Sequence, residues 1–420
     1  FKDPRGVTPM ISEYDADGRL VATIDAYGNR IELDHDLANR TETVYDRVGN
    51  PTTHVYDARG NVIQTINALG HATTYTYDGN DNELTITNPL GQTTTMTYDS
   101  QSNLLSMTDP LGNTTTMTYD SYGNQTGVTD PLGHTSQSEY DSNGNLTASI
   151  DALGNRTVQQ YDADGKLTAT FDALGRQTGT FDYDADGNMT STTDINGVTR
   201  NFSYDGRGRQ TGTSFTWINP NDANDTRTLT TQTIYDESGL VIRSVDPLGH
   251  EISTIYNDFG KPVESIDKYG HSSYTVYDAR GNVIETTDAL GLINRTVYDA
   301  QGRAILTQDR HIDGEATTGT RTTYDALGRM AKSERLRNVV ITIEVDPANP
   351  GQLRAVAGPE GTVYSYSGES IYDAAGRTIQ TTDIEGNITR YEYDIAGRQV
   401  AIIDALGNRT ETTYDVAGRT

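Results

Sequence analysis

A tyrosine–aspartate pair returns every 21 residues along much of this chain, and this period constrains the fold more than any other feature of the sequence. A second aspartate or asparagine lies about halfway between pairs, so that the steps alternate between 10 and 11 residues. A fixed period over most of a chain is typical of a repeat architecture, in which each unit contacts mainly its neighbours. Residues that recur in every unit are therefore predicted to serve folding. The predicted scaffold residues are Tyr56, Asp57, Gly60, Tyr77, Asp78, Tyr98, Asp99, Tyr119, Asp120, Tyr140, Asp141, Tyr161, Asp162, Tyr277, Asp278, Tyr393 and Asp394.

The unit that begins at Tyr56 predicts the local structure of a repeat. It contains two Asp/Asn-x-x-Gly sequences, which begin at Asp57 and Asn67, and each is followed by a short run rich in Val, Ile and Thr. Asp or Asn can accept backbone hydrogen bonds two residues further on, and glycine takes a positive φ at little cost. Each unit is therefore predicted to be one pair of antiparallel strands, and the chain an all-β array of hairpins.

The strand sequences also predict which side of the sheet is better packed. In the run 93–98, Thr-Thr-Thr-Met-Thr-Tyr, Met96 and Tyr98 are expected to share one face, and Thr95 and Thr97 the other. Because the tyrosine keeps its place in each unit, neighbouring repeats should align their tyrosines in a column. We predict that this column lies on the better-packed face.

The composition limits both the core and the partners. Only 34% of the residues are apolar, which predicts a thin structure without a thick hydrophobic core. The formal net charge of −27 opposes binding to nucleic acid and insertion into anionic membranes; it favours solubility, and it would also attract a basic partner. The chain has no cysteine and therefore no disulfide or thiol chemistry. No run of apolar residues is long enough for a transmembrane helix.

Interruptions of the period divide the chain. Regular repeats are predicted for residues 1–325, with longer hairpins near 206–234 and 309–322, then a degenerate or inserted repeat at 326–371 and regular repeats again at 372–420. Only the stretch 326–337 has some helical character. The pattern starts and stops in mid-unit, so we expect the chain to be a fragment of a longer array.

The insertions are either tolerated drift in surface loops or carriers of specific contacts. The second interpretation points to an aromatic residue in the longer hairpin and to a small basic cluster in the degenerate stretch. The residues predicted to contact a partner are Trp217, Lys332, Arg335 and Arg337.

Catalytic and metal-binding motifs are not found in the sequence. Asp15-Ala-Asp-Gly18 begins like a calcium-binding loop, but the later ligands of such a loop do not follow. Histidines such as His71 and His134 follow turn glycines and do not form a zinc-binding cluster. No phosphate-binding loop or nucleophile motif is present. We therefore predict no catalytic residues, no metal site, no cofactor and no enzymatic activity.

The repeat resembles that of the RHS/YD-repeat family. The match is clearest where Tyr393-Asp-Ile-Ala-Gly-Arg398 is followed by Asp404-Ala-Leu-Gly-Asn-Arg-Thr410, and it covers nearly all of the chain outside the degenerate stretch. In this family a long β-strip spirals into a hollow shell. Such shells occur in bacterial RHS polymorphic toxins, in insecticidal toxin complexes and, in similar form, in teneurins.

The resemblance implies a structural section of a shell that encapsulates a C-terminal toxin or effector. The implied partners are the cargo segment of the same polypeptide or other shell subunits, and the implied location is secreted or at the cell surface, most often of bacteria. The alternative function is an extracellular adhesive, glycan-binding or fibre-forming surface protein. In that case the exposed tyrosines and the insertions would contact a glycan or partner, or open sheet edges would build a filament.

Overall fold

The computed structural model describes residues 8, 10–219, 222–349, 351–359, 361–383 and 385–420. All regular elements in these residues are β-strands, which confirms the predicted all-β class. No helix in the described part of the chain is both long enough and apolar enough to cross a bilayer.

The strands follow one another at short intervals along the chain. They are β1 (Met10–Tyr14), β2 (Leu20–Asp25), β3 (Arg30–Asp36), β4 (Thr41–Tyr45), β5 (Pro51–Tyr56), β6 (Val62–Ile66), β7 (Ala72–Tyr77), β8 (Glu83–Thr87), β9 (Thr93–Tyr98), β10 (Leu104–Thr108), β11 (Thr114–Tyr119), β12 (Gln125–Thr129), β13 (Thr135–Tyr140), β14 (Leu146–Ile150), β15 (Arg156–Tyr161), β16 (Leu167–Phe171), β17 (Gln177–Tyr183), β18 (Met189–Asp194), β19 (Thr199–Tyr204), β20 (Gln210–Asn219), β21 (Asp222–Tyr235), β22 (Val241–Val245), β23 (Glu251–Tyr256), β24 (Pro262–Ile266), β25 (Ser272–Tyr277), β26 (Val283–Thr287), β27 (Ile293–Tyr298), β28 (Ala304–His311), β29 (Thr317–Tyr324), β30 (Met330–Val339), β31 (Ile341–Val345), β32 (Leu353–Ala357), β33 (Thr362–Tyr372), β34 (Thr378–Thr382), β35 (Ile388–Tyr393), β36 (Gln399–Ile403) and β37 (Arg409–Glu411).

The chain forms two compact units. Unit 1 comprises Phe1–Thr97, Met107–Asn113 and Ser273–Thr420, and unit 2 comprises Tyr98–Ser106 and Thr114–Ser272. In unit 1, consecutive strands pair antiparallel from β1 to β8 and from β25 to β30, and β30 then pairs with β33. In unit 2, consecutive strands pair antiparallel from β11 to β24. Each unit is therefore a meander of hairpins.

The turns have the geometry that the Asp-x-x-Gly sequences predict. In the turn that begins at Asp57, the backbone N–H of Gly60 donates to the Asp57 carbonyl at 3.3 Å, and the Asp57 N–H donates to the Asn61 carbonyl at 2.9 Å. Gly60 has a φ of 96°, a left-handed conformation that favours glycine. The turn is therefore closed by backbone hydrogen bonds on both sides of a single left-handed residue.

The strands before and after a repeat tyrosine differ in length, which explains the alternating steps of the sequence. In unit 2, β11 ends at Tyr119 and has 6 residues, whereas β12 has 5. The register of this pair shifts between Thr118 and Tyr119, because Thr118 lies opposite Gly127 and Tyr119 lies opposite Gln125. Such a shift is a β-bulge, which increases the local twist of a strand pair. By contrast, the β12–β13 pair keeps a regular register.

The two faces of the sheet differ in packing as predicted. In β9, Met96 and Tyr98 are partly buried, whereas Thr95 and Thr97 are exposed. The same alternation occurs in β7, β11 and β35, each of which ends in a partly buried tyrosine. The prediction that the tyrosines lie on the better-packed face is confirmed for these strands. The core is thin, because many of the buried apolar residues outside the degenerate stretch are alanines such as Ala22, Ala148 and Ala401.

The degenerate stretch contains the one cluster of buried large apolar side chains among the described residues. Leu336, Val339 and Ile341 are buried there, with Val297 and Leu306 packed against them. The strands β31 and β32 form a separate two-stranded sheet, inserted between β30 and β33, that contacts β27. Residues 326–337, which have some helical character in the sequence, contain no helix, since β30 begins at Met330 and pairs with β29 and β33.

Candidate functional site

The turns fall into two classes that occupy opposite edges of each meander. A turns begin at the aspartate that follows a tyrosine of the 21-residue series, as in Asp57–Gly60. B turns begin halfway through the unit, as in Asn67–Gly70. Consecutive turns of a meander alternate between its two edges. Within each unit, the A turns therefore line one edge and the B turns the other.

Side-chain hydrogen bonds reinforce each turn from within. The Asp57 Oδ1 atom accepts the backbone N–H of Arg59 at 2.8 Å and that of Asn61 at 2.9 Å. The other predicted scaffold aspartates accept the equivalent pair of N–H groups; they are Asp78, Asp99, Asp120, Asp141, Asp162, Asp278 and Asp394. These aspartates complete their own turns and do not converge on a common ligand.

These hydrogen bonds lower the pKa of several turn carboxylates, among them Asp57 and Asp120. Partial burial acts to raise the pKa of Asp57, but the backbone N–H groups of Asn61 and Arg59, the Asn61 amide and the Arg59 charge lower it to about 2. In Asp120, the hydrogen bond from the Asn124 side chain is the largest cause of a lowered pKa. Hydrogen bonds to the charged form of a carboxylate always act in this direction.

The repeat tyrosines tie each hairpin to the one before it. The Tyr119 hydroxyl donates to the Leu104 carbonyl at 3.0 Å, 15 residues earlier in the chain. Corresponding hydrogen bonds are made by Tyr77, Tyr140, Tyr161, Tyr183, Tyr204, Tyr235, Tyr256, Tyr298, Tyr324, Tyr372, Tyr393 and Tyr414. Tyr56, Tyr98 and Tyr277 end their strands at the same position of the repeat. The repeated tyrosine thus satisfies a backbone carbonyl of the preceding repeat.

The residue after the turn glycine adds a second link. Where it is Asn, as at Asn124, its amide donates to the turn carboxylate, here Asp120 Oδ2 at 2.9 Å. Where it is Arg, as at Arg398, Nε donates to Asp394 Oδ2 at 2.7 Å, and the guanidinium lies 4.8 Å from the ring centroid of Tyr414. The same stacking on the next tyrosine occurs for Arg209, Arg303, Arg329 and Arg377. The sequence analysis missed this link, although the Gly-Arg pairs signal it.

We expect the tyrosine hydroxyl to contribute measurably to stability. Tyr119→Phe removes the hydrogen bond to Leu104 and leaves that carbonyl to water, so the free energy of unfolding should fall by about 1 kcal/mol. Tyr119→Ala should cost more, because the ring is lost as well. Urea unfolding of the two variants measures both effects. Tyr122→Ala is the matched control, since Tyr122 lies in the next turn and is 81% exposed. Equal losses at both positions would contradict this role of the hydroxyl.

The residues predicted to contact a partner lie in two separate places. Trp217 lies in β20 of the long β20–β21 hairpin, and the guanidinium of Arg227 is 5.7 Å from its ring. Lys332, Arg335 and Arg337 all lie in β30. The Lys332 Nζ atom lies 2.7 Å from Glu334 Oε1, so this lysine forms an ion pair within its own strand.

Arg335 is engaged by its own chain as well. It pairs with Asp309, and its guanidinium also donates to the hydroxyls of Thr318 and Thr320. Arg335 therefore joins β30 to the two preceding strands, β28 and β29. It belongs to unit 1, whereas Trp217 belongs to unit 2.

Unit 1 contains a contact between turns far apart in sequence. The B turns Asp25–Gly28 and Asp46–Gly49 lie against the A turns Asp278–Gly281 and Asp299–Gly302. We call this the A–B edge contact. Asp25 and Asp278, which begin the first pair of turns, are 253 residues apart, and so are Asp46 and Asp299. Two successive B turns therefore meet two successive A turns in register. Sequence analysis missed this contact, because no local pattern marks it.

The first pair of turns in this contact is tightly joined. The backbone N–H of Ala279 donates to the Tyr27 hydroxyl at 3.1 Å, and the Arg280 guanidinium lies 4.8 Å from the Tyr27 ring. Arg280 also approaches Asp25 Oδ2 at 3.4 Å, with 15% and 7% of the two side chains exposed. Burial raises the pKa of Tyr27 to about 12, so that it remains a neutral hydrogen-bonding group.

The second pair of turns and the loop between β31 and β32 extend the A–B edge contact. The Gln301 amide donates to Asp46 Oδ2 in the next pair of turns. In the loop between β31 and β32, the Asn349 amide donates to the Ala26 carbonyl at 2.8 Å and to Asp346 Oδ2 at 2.8 Å. The degenerate stretch therefore packs against the first B turn as well as against β27.

The described residues do not contain a group of three or more His, Asp or Glu side chains arranged to hold a metal ion. The turn carboxylates are spread along the two edges, and other acidic residues, such as Glu32 and Glu83, lie in the strands. The hydrogen bonds of the turn aspartates and of the repeat tyrosines stabilise the turns and join successive hairpins of the sheet.

The fold and the turn pattern define a β-hairpin repeat protein, and comparison with known families gives the particular class. The RHS repeat family matches residues 56–94, 77–114, 98–135, 140–177, 161–199, 183–214 and 372–409. The chain contains RHS repeats over residues 56–135, 140–214 and 372–409, as the Tyr-Asp-x-x-Gly pattern predicted. No curated protein matches the chain.

Solved structures of toxin complexes share this fold. A structure of TcdB2-TccC3 without its hypervariable C-terminal region has a TM-score of 0.64 and 16% identity, covering 98% of this chain and 22% of that chain. TcdB2-TccC3-Cdc42 has a TM-score of 0.53 and 13% identity, covering 96% and 26%. A Photorhabdus luminescens Tc holotoxin pore has a TM-score of 0.50 and 15% identity, covering 94% and 25%. This chain thus spans about a quarter of those chains, and the likeness concerns the fold.

Proposed function

We propose that this chain is a structural section of an RHS-repeat shell that encapsulates a C-terminal toxin or effector segment. The observation that carries the proposal is the tyrosine-linked meander, in which successive hairpins are joined by the same hydrogen bond over a long run of repeats. Outside the degenerate stretch most of the buried apolar side chains are alanines, which suits a wall that is one sheet thick. The shared fold of the Tc toxin structures supports the same role.

In this role the chain acts by confinement and not by catalysis. The faces of the strip carry many threonines and charged side chains, as in β11 and β35. A polar wall offers an unfolded segment little apolar surface on which to fold or adhere. The proposed partners are the cargo segment of the same polypeptide and other shell subunits, and the proposed location is outside the producing cell, either secreted or at its surface.

The experiment that tests this function is cryo-electron microscopy of the natural protein that carries this chain, combined with limited proteolysis. We expect a closed hollow particle with diffuse internal density, and a segment that resists protease while the particle is intact. The same protein unfolded in denaturant is the control, and its segment should be cut rapidly. An open ribbon or filament in which every segment is cut at the same rate would overturn the proposal.

For Trp217 we propose contact with another protein surface. The β20–β21 hairpin is longer than its neighbours, and the partly buried Trp217 is the single tryptophan of the chain. Aromatic side chains at the centre of a contact carry much of its binding energy. Replacement of Trp217 by alanine should therefore weaken assembly of the natural complex and lower the thermal midpoint only slightly, since its neighbour Arg227 is itself 68% exposed.

A further inference from the structure

A small cavity lies beside the A–B edge contact in unit 1. Three parts of the chain that are distant in sequence enclose about 310 Å³, which is near the lower end of the range for small-molecule sites. The first B turn supplies Tyr27, the A turns supply Arg280 and Ala300, and β32 supplies Arg354. The cavity therefore exists only where distant repeats and the degenerate stretch meet.

Arg354 is the weakly paired cation of this cavity. Its ion-pair partner, Glu344 Oε2 on the neighbouring β31, lies 3.9 Å from Nη2, which is beyond hydrogen-bond distance. The buried Nε atom of Arg354 has no hydrogen-bond partner within the described part of the chain. Because 41% of the side chain is exposed, a solute can reach this guanidinium.

Two further groups make the cavity suitable for an anion. The Tyr27 hydroxyl accepts the N–H of Ala279, and its own proton is retained at neutral pH because burial raises the pKa of Tyr27 to about 12. The Arg280 guanidinium donates to the uncharged carbonyls of Ala300 and Asp299, and its buried Nε atom has no partner among the described residues. A positive charge and a hydroxyl donor thus lie at the same cavity as Arg354.

The two carboxylates at the cavity are already engaged in their own turns. The Asp278 side chain accepts the backbone N–H groups of Arg280 and Asn282 and the Asn282 amide. The Asp299 side chain likewise accepts the N–H groups two and four residues further on, and it pairs with Nε of Arg303. The unpaired groups of Tyr27 and of the two arginines, by contrast, are all donors.

From these contacts we propose that the cavity is a binding site for a small oxyanion, either a carboxylate or a phosphate group. Arg354 is the principal binding residue, because a planar guanidinium can bind either group through two parallel hydrogen bonds. The Tyr27 hydroxyl donates to the oxyanion from the side of the first B turn. A bound oxyanion therefore links the degenerate stretch to the A–B edge contact.

Isothermal titration calorimetry at constant ionic strength, with inorganic phosphate and separately with acetate, tests this site. We expect saturable binding of at least one probe, and the probe that binds identifies the site as one for phosphate, for carboxylate or for both. The net charge of −27 repels anions in general, so saturation has to come from a local arrangement. Arg354→Gln should weaken binding at least about tenfold, because charge-assisted hydrogen bonds are lost, and Arg354→Lys should weaken it less.

Two further variants serve as controls. Arg390 is an exposed residue of β35 in the same unit, so Arg390→Gln removes the same charge away from the cavity and should bind like the unmodified chain. Glu344→Gln removes the carboxylate that competes for Arg354 and should bind the probe more tightly.

Absence of saturable binding for both probes, or an equal loss in Arg354→Gln and Arg390→Gln, would overturn the site. Circular dichroism of each variant checks that it is folded. The inference does not rest on the shell function, so its failure would leave the protease-protection test of the shell unaffected.

Discussion

Replacement of Leu336 by alanine is expected to lower the free energy of unfolding of unit 1 by about 3 kcal/mol, because it opens a cavity in the apolar cluster. Leu336 is 2% exposed and packs with Val339 and Ile341 in a cluster joined by Val297 and Leu306. The rest of the sheet has mostly small or half-buried side chains at its core positions, so that few other leucines offer a comparable loss.

Hydrogen exchange followed by mass spectrometry is the appropriate measurement, because a repeat protein can lose structure locally. We expect faster exchange in β27–β32 and unchanged exchange in unit 2. Val345→Ala is the matched control, since Val345 lies in β31 beside the cluster but is 63% exposed. If exchange increased equally for both variants, or throughout the chain, the cluster would not be the local support that its burial indicates.

Acid should unfold this protein over a narrow range of pH. The folded-state pKa of Asp57 is about 2, below its ordinary value of 3.8, and the pKa values of many other turn aspartates are also lowered. A carboxyl with a depressed folded-state pKa contributes stability above its unfolded-state pKa, and this contribution is lost as the pH falls through its folded-state value. We therefore expect a nearly constant thermal midpoint from about pH 7 to 5, and a steep fall between about pH 4 and 2.

The chain itself provides the control for this prediction. Asn67 and Asn88 occupy the first position of B turns, and their side-chain oxygens accept the same backbone N–H groups without a charge. A variant with Asp99→Asn, Asp120→Asn and Asp141→Asn should therefore fold at neutral pH and lose less stability between about pH 4 and 2. An acid transition that is identical in this variant would show that other groups cause the pH dependence.

The repeats were predictable because their information is local. An Asp-x-x-Gly turn is closed by hydrogen bonds within five consecutive residues, as in Asp57–Asn61, and the tyrosine link spans only 15 residues. The alternation of Met96 and Tyr98 with threonines was sufficient to assign the packed face. Local residue preference and strand pairing disagree in one stretch. The helical pattern in 326–337 was overridden because β30 pairs on both sides, with β29 and β33.

The repeat, the turn geometry, the all-β class and the family resemblance were predictable from the residues alone, since each depends on residue types at a fixed short spacing. Only the tertiary structure decided which distant turns meet. The contacts of Tyr27 with Ala279 and Arg280, about 250 residues away, join turns that no local spacing relates. The same holds for the cluster around Leu336. No single repeat encodes either arrangement, because each depends on contacts between residues of different repeats.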